Sequence, residues 1–580
     1  SIHIGGCIGR IEKANTMAKH FKNLEDAEIV VNAQNPVRMG LGGVVGHQNI
    51  TTSTVEDCYN YGTVKYNGTM EGATAGYYSP TIGGIIGYMN QANHTVKNCH
   101  NHGDVSCTST ATFNRFKIGG VLGYSEGANL TIENCSNNHD LTFDGTTGGV
   151  FYAGGVVGHT DKAITAKDLV NNNKITINGQ GGSGGYVGGV YGQIGNESSE
   201  CSGFINNGEI IVNTEVTSKF LVAGGVIGSC AATADDITNK GKVTFDCSSV
   251  TELYVGGVIA SLTNAASELL NENEVSFTGT AGSVLYAGGV VGNTSAAISL
   301  AEGKTYAAKN SGAVTFGGTS TAEYYAGGVV GRNTVAQTTV LENAGNLSFT
   351  GAAGTSPYVG GVIGYTNTNA GTKEALGTDF VANCINYGEV KVLFPCKPNK
   401  SYVGGVLGGT QTAGSTSAVY QGQIVNCLNY GDVSYRFEVL DSGTYGNVGG
   451  VVGYSQANME GCDNHGKVSY TTPTDPSAAG TRAAAGGVVG CNLFGVKNCN
   501  NYGELFGEGV WAAGTNDAAG AGSQGGTSFG GVVGCVGIYN KNSADYPTVG
   551  CNNYGKINLN IACKTAGGTA GYFSGDAVCI

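Results

Sequence analysis

Residues 425–435 read VNCLNYGDVSY, and the phrase returns throughout the chain. It stands as KNCHNHGDVS at 97–106, ANCINYGEVK at 382–391, KNCNNYGELF at 497–506 and GCNNYGKINL at 550–559. Such recurrence is either repeated chemistry or repeated architecture. Self-similarity with a period of about 20–50 residues marks stacked-repeat folds. A second block, GGVVG and its variants, alternates with the first. Its Gly–Gly pair begins at Gly5, Gly42, Gly83, Gly119, Gly154, Gly188, Gly224, Gly256, Gly288, Gly327, Gly360, Gly404, Gly449, Gly486, Gly530 and Gly567, at intervals of 32 to 45 residues. One unit is thus an apolar residue, Gly-Gly-Val-Val-Gly, a loop, VxNCxNYG, xVxF and a second loop. The units run over 1–580 without a change of composition, so a single elongated domain is expected. In it, 1–40 is a degenerate first coil and partial cap, and 366–549 holds coils with longer loops.

Composition agrees with repeated architecture. Of 580 residues, 100 are Gly and 8 are Pro, and charged residues make up only 12%. Apolar residues reach 41%, which separates the chain from disordered segments of high charge and low hydrophobicity. Gly without Pro and without a Gly-X-Y period excludes collagen. A net charge of −13 argues against nucleic acid or anionic membrane as the main partner. No apolar run is long enough to span a bilayer.

Each unit carries three short stretches rich in Val, Ile, Tyr and Phe, separated by Gly and Asn, which read as strands. A 3.6-residue period is confined to 10–22 (RIEKANTMAKHFK), expected as a helix over the first coil, and to 264–274. A propeller closes at about 4–8 blades of four strands, whereas a solenoid stacks without limit. The expected fold is an all-β parallel β-solenoid (β-helix) of about sixteen coils of 32–45 residues, with three short strands per coil.

In-register stacking explains the phrase. Its Asn recurs at Asn60, Asn101, Asn137, Asn171, Asn206, Asn239, Asn271, Asn310, Asn343, Asn386, Asn429, Asn464, Asn501 and Asn553, with Asp26 standing there in the first unit. Stacked Asn amides can bond one another along the solenoid as a ladder. The same Asn tolerates a left-handed corner, and the Gly after it is expected to supply positive φ. Cys58, Cys99, Cys135, Cys384, Cys427, Cys462, Cys499 and Cys551 share one position and read as small buried thiols. Candidate disulfides lie off that row, at Cys491–Cys535 and Cys563–Cys579. After the corner Gly, the charge mostly alternates in sign from coil to coil, as at Lys174, Glu209, Lys242 and Glu274, and this row reads as a solvated face.

Catalytic signals do not survive context. GGSGG at 181–185 fits G-x-S-x-G but lacks the following helix of a nucleophile elbow. GGVVG lacks the helix of a dinucleotide site and occurs in every unit. There is no H-E-x-x-H, Walker loop or EF-hand pattern, so no catalytic residue, metal ligand or cofactor is assigned. His102 and His465, at the Tyr position of the phrase, and His47 and His159, just after GGVVG, read as solvent-edge aromatic substitutes. Two features are candidate ligand contacts. One is the row two residues before the Gly–Gly pair: Tyr152, Tyr186, Tyr254, Tyr286, Tyr325, Tyr358 and Tyr402, broken by Val222. Exposed, it would make a platform for sugars or protein; buried, it is packing. The other is the loop 506–528, with Trp511, the single Trp.

The blocks in IGGVLGYSEGANLTIENCSNNHDLTF (118–143) and GGVVGYSQANMEGCDNHGKVSY (449–470) resemble the GLUG-type repeats of bacterial surface proteins. The resemblance covers nearly the whole chain. It implies an extracellular or cell-surface, bacterial location and a structural or adhesive role toward a glycan or a host or microbial surface protein. The alternative is a β-helical polysaccharide lyase or glycoside hydrolase, which would need a carboxylate pair on one face. The unfinished turn near 567–580 raises the further expectation of end-to-end association or continuation in a longer chain.

Overall fold

The computed structural model describes residues 2–32, 38–68, 79–217, 219–249, 251–334, 338–367, 379–394, 400–411, 423–437, 445–472, 482–509, 527–536, 547–561, 563 and 565–573. Trp511, Cys579 and most of the longer loops expected over 366–549 lie outside them. The chain divides into two compact units, Ser1–Gly282 and Ser283–Ile580. Both are all-β parallel β-solenoids, and the described residues contain no helix.

One coil shows the plan. Strand Phe116–Gly119 bends at Gly120 and continues as Leu122–Ser125. A loop leads to Leu130–Asn137, a corner follows, and Leu141–Thr147 completes the turn. Each strand pairs in parallel with its equivalent one coil on: Gly119 with Gly154, Leu122 with Val157, Asn137 with Asn171 and Leu141 with Ile175. The coil has four strands where three were expected, because the Gly–Gly bend cuts the first apolar stretch in two. Eight Gly–Gly strands stack in the first unit, from Ile2–Gly5 to Glu252–Gly256. Eight more stack in the second, from Val284–Gly288 to Thr565–Gly567.

Side-chain alternation fills the interior. Leu141 and Phe143 are buried while Thr142 between them is not, and Val433 and Tyr435 repeat the pattern in the second unit. Burying each such side chain contributes about 1.5–3 kcal/mol.

The Asn ladder is present in both units. In the first it runs Asn23, Asn60, Asn101, Asn137, Asn171, Asn206, Asn239, Asn271, each amide Nδ2 donating to the next Oδ1 at 2.7–3.0 Å. In the second it runs Asn310, Asn343, Asn386, Asn429, Asn464, Asn501, Asn553, at 2.8 Å throughout. The second amide hydrogen bonds a carbonyl two residues on, as in Asn101 to Gly103 and Asn429 to Gly431. The first coil therefore fills the ladder with Asn23, in register with Asn60, and not with Asp26.

The ladder also explains why two motifs travel together. A Cβ built on Gly405, the second glycine of its pair, would sit 2.3 Å from Cγ of Asn429 and 2.1 Å from the Gly450 carbonyl oxygen. Gly43, Gly84, Gly120, Gly361, Gly450 and Gly487 stand in the same relation to Asn60, Asn101, Asn137, Asn386, Asn464 and Asn501. The glycine makes room for the amide.

Several expectations are corrected. The left-handed corner residue is not the ladder Asn but the residue just before the Cys position: Asn98, Asn134, Asn383, Asn426 and Asn498, with φ of 51–54°. Asn tolerates this conformation better than most residues, and Gly461 and Gly550 take the same place. The Gly after the ladder Asn has no positive φ. It is required for close approach, since a Cβ on Gly431 would lie 1.9 Å from the Gly388 oxygen. Residues 10–22 form short strands joined by turns rather than a helix, with Thr16–Lys19 paired to Ser53–Glu56 and Lys22–Asn23 to Tyr59–Asn60. Residues 266–271 are likewise a strand. Pairing with the neighbouring coil outweighs a weak helical propensity. Cys491 and Cys535 are thiols on paired strands. Cys563 is also a thiol.

The Cys row behaves as expected. Cys58, Cys99, Cys135, Cys384, Cys427, Cys462 and Cys499 are buried thiols, and Cys551 is half-buried. Their sulfurs point at backbone carbonyls, as Cys99 does toward Val55 and Lys97 at 3.5 and 3.3 Å. In the charged row, Lys174–Glu209, Lys242–Glu274 and Lys467–Glu504 pair at 3.8, 3.1 and 3.2 Å. At such exposure each contributes little. Asp104, next to the like-charged Asp140, is met by His139 Nδ1 at 2.6 Å.

Candidate functional site: a cationic, aromatic-walled cleft

The bend at the Gly–Gly pair folds two strands against each other. It brings the row two residues before the pair onto the row five residues after its first glycine. Tyr152 stacks on His159 with ring centroids 4.0 Å apart, and Tyr358 and Tyr402 meet Tyr365 and Tyr454 at 5.0 Å. The Arg332 guanidinium lies over Tyr286 and Tyr325 at 5.3 and 5.5 Å. The Tyr row is therefore a packing row. Tyr152, Tyr286, Tyr325, Tyr358 and Tyr402 are buried, and Tyr186 and Tyr254 are half-buried. Successive rings cover one another's faces, as Tyr152 and Tyr186 do at 5.2 Å and 11°. Among the described residues, no open platform of ring faces forms along the row.

The aromatic row lies open elsewhere. In the second unit Tyr387, Tyr430, His465, Tyr502 and Tyr554 of the corner phrase stack at 4.7–5.3 Å, and their outer edges are exposed. His465 is thus a solvent-edge substitute for Tyr, as expected. His102 plays the same part on Tyr61 at 4.9 Å. His47 and His159 differ: both are buried, at 4% and 5% exposure.

In the first four coils the packing row loses its tyrosines. His3, Gly40, Thr81 and Lys117 stand there instead. Gly40 is forced, since a Cβ would lie 2.5 Å from the Gly46 oxygen and 3.2 Å from Cβ of Tyr88. Thr81 is short, and its hydroxyl is spent on the Met39 carbonyl at 2.8 Å. A cleft of about 350 Å³ opens where the missing rings would be. This falls within the range of about 300–1,000 Å³ typical of small-molecule sites.

One wall is a ring stack: His3 on His47 at 4.2 Å, His47 on Tyr88 at 4.7 Å and Tyr88 on Tyr124 at 5.5 Å. The tyrosine hydroxyls are engaged, Tyr88 with the Glu126 carboxylate and Tyr124 with Asp161. The other groups are mainly cationic. Lys117, 6% exposed, holds its ammonium 3.6 Å from the centre of the Tyr124 ring. Arg10 and Arg115 lie at the rim, Arg10 paired with Glu12 at 2.8 Å. Glu126 is the one carboxylate among the described residues lining the cleft.

The protonation of His47 follows from its neighbours. Asn90 Nδ2 donates to Asn49 Oδ1 at 2.7 Å, so Asn90 turns its Oδ1 to His47 Nε2 at 3.2 Å. An amide oxygen only accepts, so Nε2 carries the proton and Nδ1 is a bare lone pair. Burial, with His3 and Arg10 beside the ring, pushes the pKa of His47 down to about 4 against the bond to Asn90, which keeps it neutral. Burial likewise pushes His159 down to about 3, despite Asp161 at 3.1 Å. His47 Nδ1 is buried and has no hydrogen-bond partner among the described residues.

None of His3, Arg10, Thr81 or Lys117 stands out in the sequence. The signal was a gap: the packing column reads His, Gly, Thr, Lys before its tyrosines begin at Tyr152. Among the described residues no group of three or more His, Cys, Asp or Glu is placed to hold a metal ion, and no helix is long and apolar enough to cross a membrane. No protein-family model, curated protein or solved structure matches the chain.

Proposed function

We propose that this chain is a GLUG-type, non-enzymatic surface solenoid of a bacterial cell that holds a glycan or a partner's surface protein. The observation that carries the reading is the ladder. Within each unit the ladder amide repeats from coil to coil, with a buried thiol or apolar side chain two residues before it in the inner coils, so the interior is scaffold. The groups left to meet a partner lie on the outside, in the cleft of the first four coils and in the exposed ring row Tyr387 to Tyr554. A regular framework carrying a local departure from its repeat is how rigid scaffolds present binding residues.

The test is adhesion and turnover measured together. Particles coated with the purified chain should be retained on immobilised polysaccharides or on host or microbial cells, and soluble polysaccharide should leave the incubation unshortened. Release of sugar that disappears when one carboxylate is replaced would overturn the reading in favour of a lyase or hydrolase. Failure to retain on any surface tested would also count against it.

A further inference from the structure

The cleft of the first four coils asks for two kinds of ligand atom at once. Its charge is one. The chain as a whole carries −13, yet Arg10, Arg115 and Lys117 converge here; among the described residues Glu126, which already accepts from Tyr88, is the one carboxylate lining the cleft, and Glu12 pairs with Arg10 at its rim. Cationic side chains with few acids beside them favour an anion, and low-dielectric walls strengthen that preference. Arginine adds a planar fork suited to carboxylate or sulfate.

The second demand is the opposite in character. His47 lines the cleft as a neutral ring, its proton committed to Asn90, and its Nδ1 lone pair is buried without a partner among the described residues. A buried polar atom left without a bond is disfavoured, so this lone pair calls for an O–H or N–H donor. A simple anion offers acceptors only. A ligand carrying hydroxyls beside an acid group meets both demands.

We infer that the cleft between His47 and Lys117 binds an acidic saccharide, a hydroxyl-bearing ring with a carboxylate or sulfate. The acid group lies toward Arg10, Arg115 and Lys117, and a ring hydroxyl donates to His47 Nδ1, which is closed to solvent in this structure and turns toward the cleft to accept. The ring edges of His3 and Tyr88 supply the apolar wall. This deepens the glycan branch of the proposed function and rests on it.

The experiment is isothermal titration of the full chain with a trimer of galacturonic acid, a neutral galactose trimer of the same length, a sulfated disaccharide and sodium sulfate alone. The uronic acid trimer or the sulfated sugar should bind at least ten-fold more tightly than the neutral trimer, and the affinity should fall as salt is raised. Replacing the two rim residues together, Arg10→Gln and Arg115→Gln, should weaken binding at least ten-fold without moving the melting midpoint. Thr81→Tyr, which returns a ring to the gap, should block the site. Equal affinity for acidic and neutral trimers, sulfate alone matching the sugars, or unchanged affinity in the arginine variant would each overturn the inference. If neither acidic sugar binds while coated particles still adhere to some other surface, this inference falls and the adhesive reading stands.

Discussion

Replacing Asn429 by alanine tests the ladder at its most regular point. The side chain is fully buried and holds three bonds: it accepts from Asn386 at 2.8 Å, donates to Asn464 at 2.8 Å and donates to the Gly431 carbonyl at 2.7 Å. Alanine removes all three. Asn386 and Asn464 cannot close the gap, because they lie two coils apart and strand spacing is about 4.8 Å per coil. One N–H and two carbonyl oxygens are then left short of partners in the interior. At about 0.5–1.5 kcal/mol net per bond, the loss is about 3 kcal/mol. In a stack of repeats the damage is local. Hydrogen exchange of peptides covering 382–391, 425–435 and 460–470 should therefore speed up about 100-fold in opening-limited protection. Asp432, exposed and three residues on, provides the control: it accepts one bond, from the Lys467 N–H at 2.8 Å, so Asp432→Ala should cost about 1 kcal/mol, well below the ladder mutant. If Asn429→Ala and Asp432→Ala show the same exchange and the same melting midpoint, the amide ladder does not stabilise the coil and the reasoning is wrong.

Gly405→Ala should be worse than a lost bond. Its Cβ meets backbone oxygen at 2.1 Å as well as the Asn429 amide, so the coil must open, and loss of soluble expression or a drop of more than about 3 kcal/mol is expected. Acid should destabilise the first unit through His47 and His159. Both have folded pKa values below the usual 6.5, so their contribution is fully present above pH 6.5 and is lost as pH falls toward about 4 for His47 and about 3 for His159. Each ten-fold change in proton affinity between the folded and unfolded chain is worth about 1.4 kcal/mol, so His47 accounts for roughly 3 kcal/mol between pH 6.5 and 4. His47→Phe should flatten that part of the urea-midpoint profile, and an unchanged slope would show that the ring is not held neutral. Thiol titration with an aromatic disulfide reagent should label exposed Cys7 quickly in the native chain, while Cys99 and Cys427 react only after unfolding. Mass spectrometry of the labelled peptides reads this directly, and rapid native labelling of Cys427 would contradict an interior thiol row.

The repeat was legible because stacking makes equivalent positions chemically equivalent. An in-register parallel stack allows only residues that bond or pack with copies of themselves. Asn, Cys, Val and Gly therefore recur in columns that need no coordinates to see. The ladder from Asn60 to Asn553 and the thiol row follow from that one constraint. What a column could not show was which way it faces across a bend. Alternation along a strand tells inside from outside only until the backbone turns, and at Gly120 or Gly405 it turns within two residues. Whether the Tyr row meets solvent or the strand beyond the bend was decided there, and it meets that strand. The same limit hid the left-handed corner. Asn98 and Asn101 are the same residue type three positions apart, and only the backbone shows that the first takes φ of 52° while the second turns its amide into the ladder. The cleft is the furthest from the sequence. It exists because Gly40 and Thr81 leave unfilled the space that a tyrosine fills in later coils, and an unfilled space is a property of neighbours packed together, not of any residue in the chain.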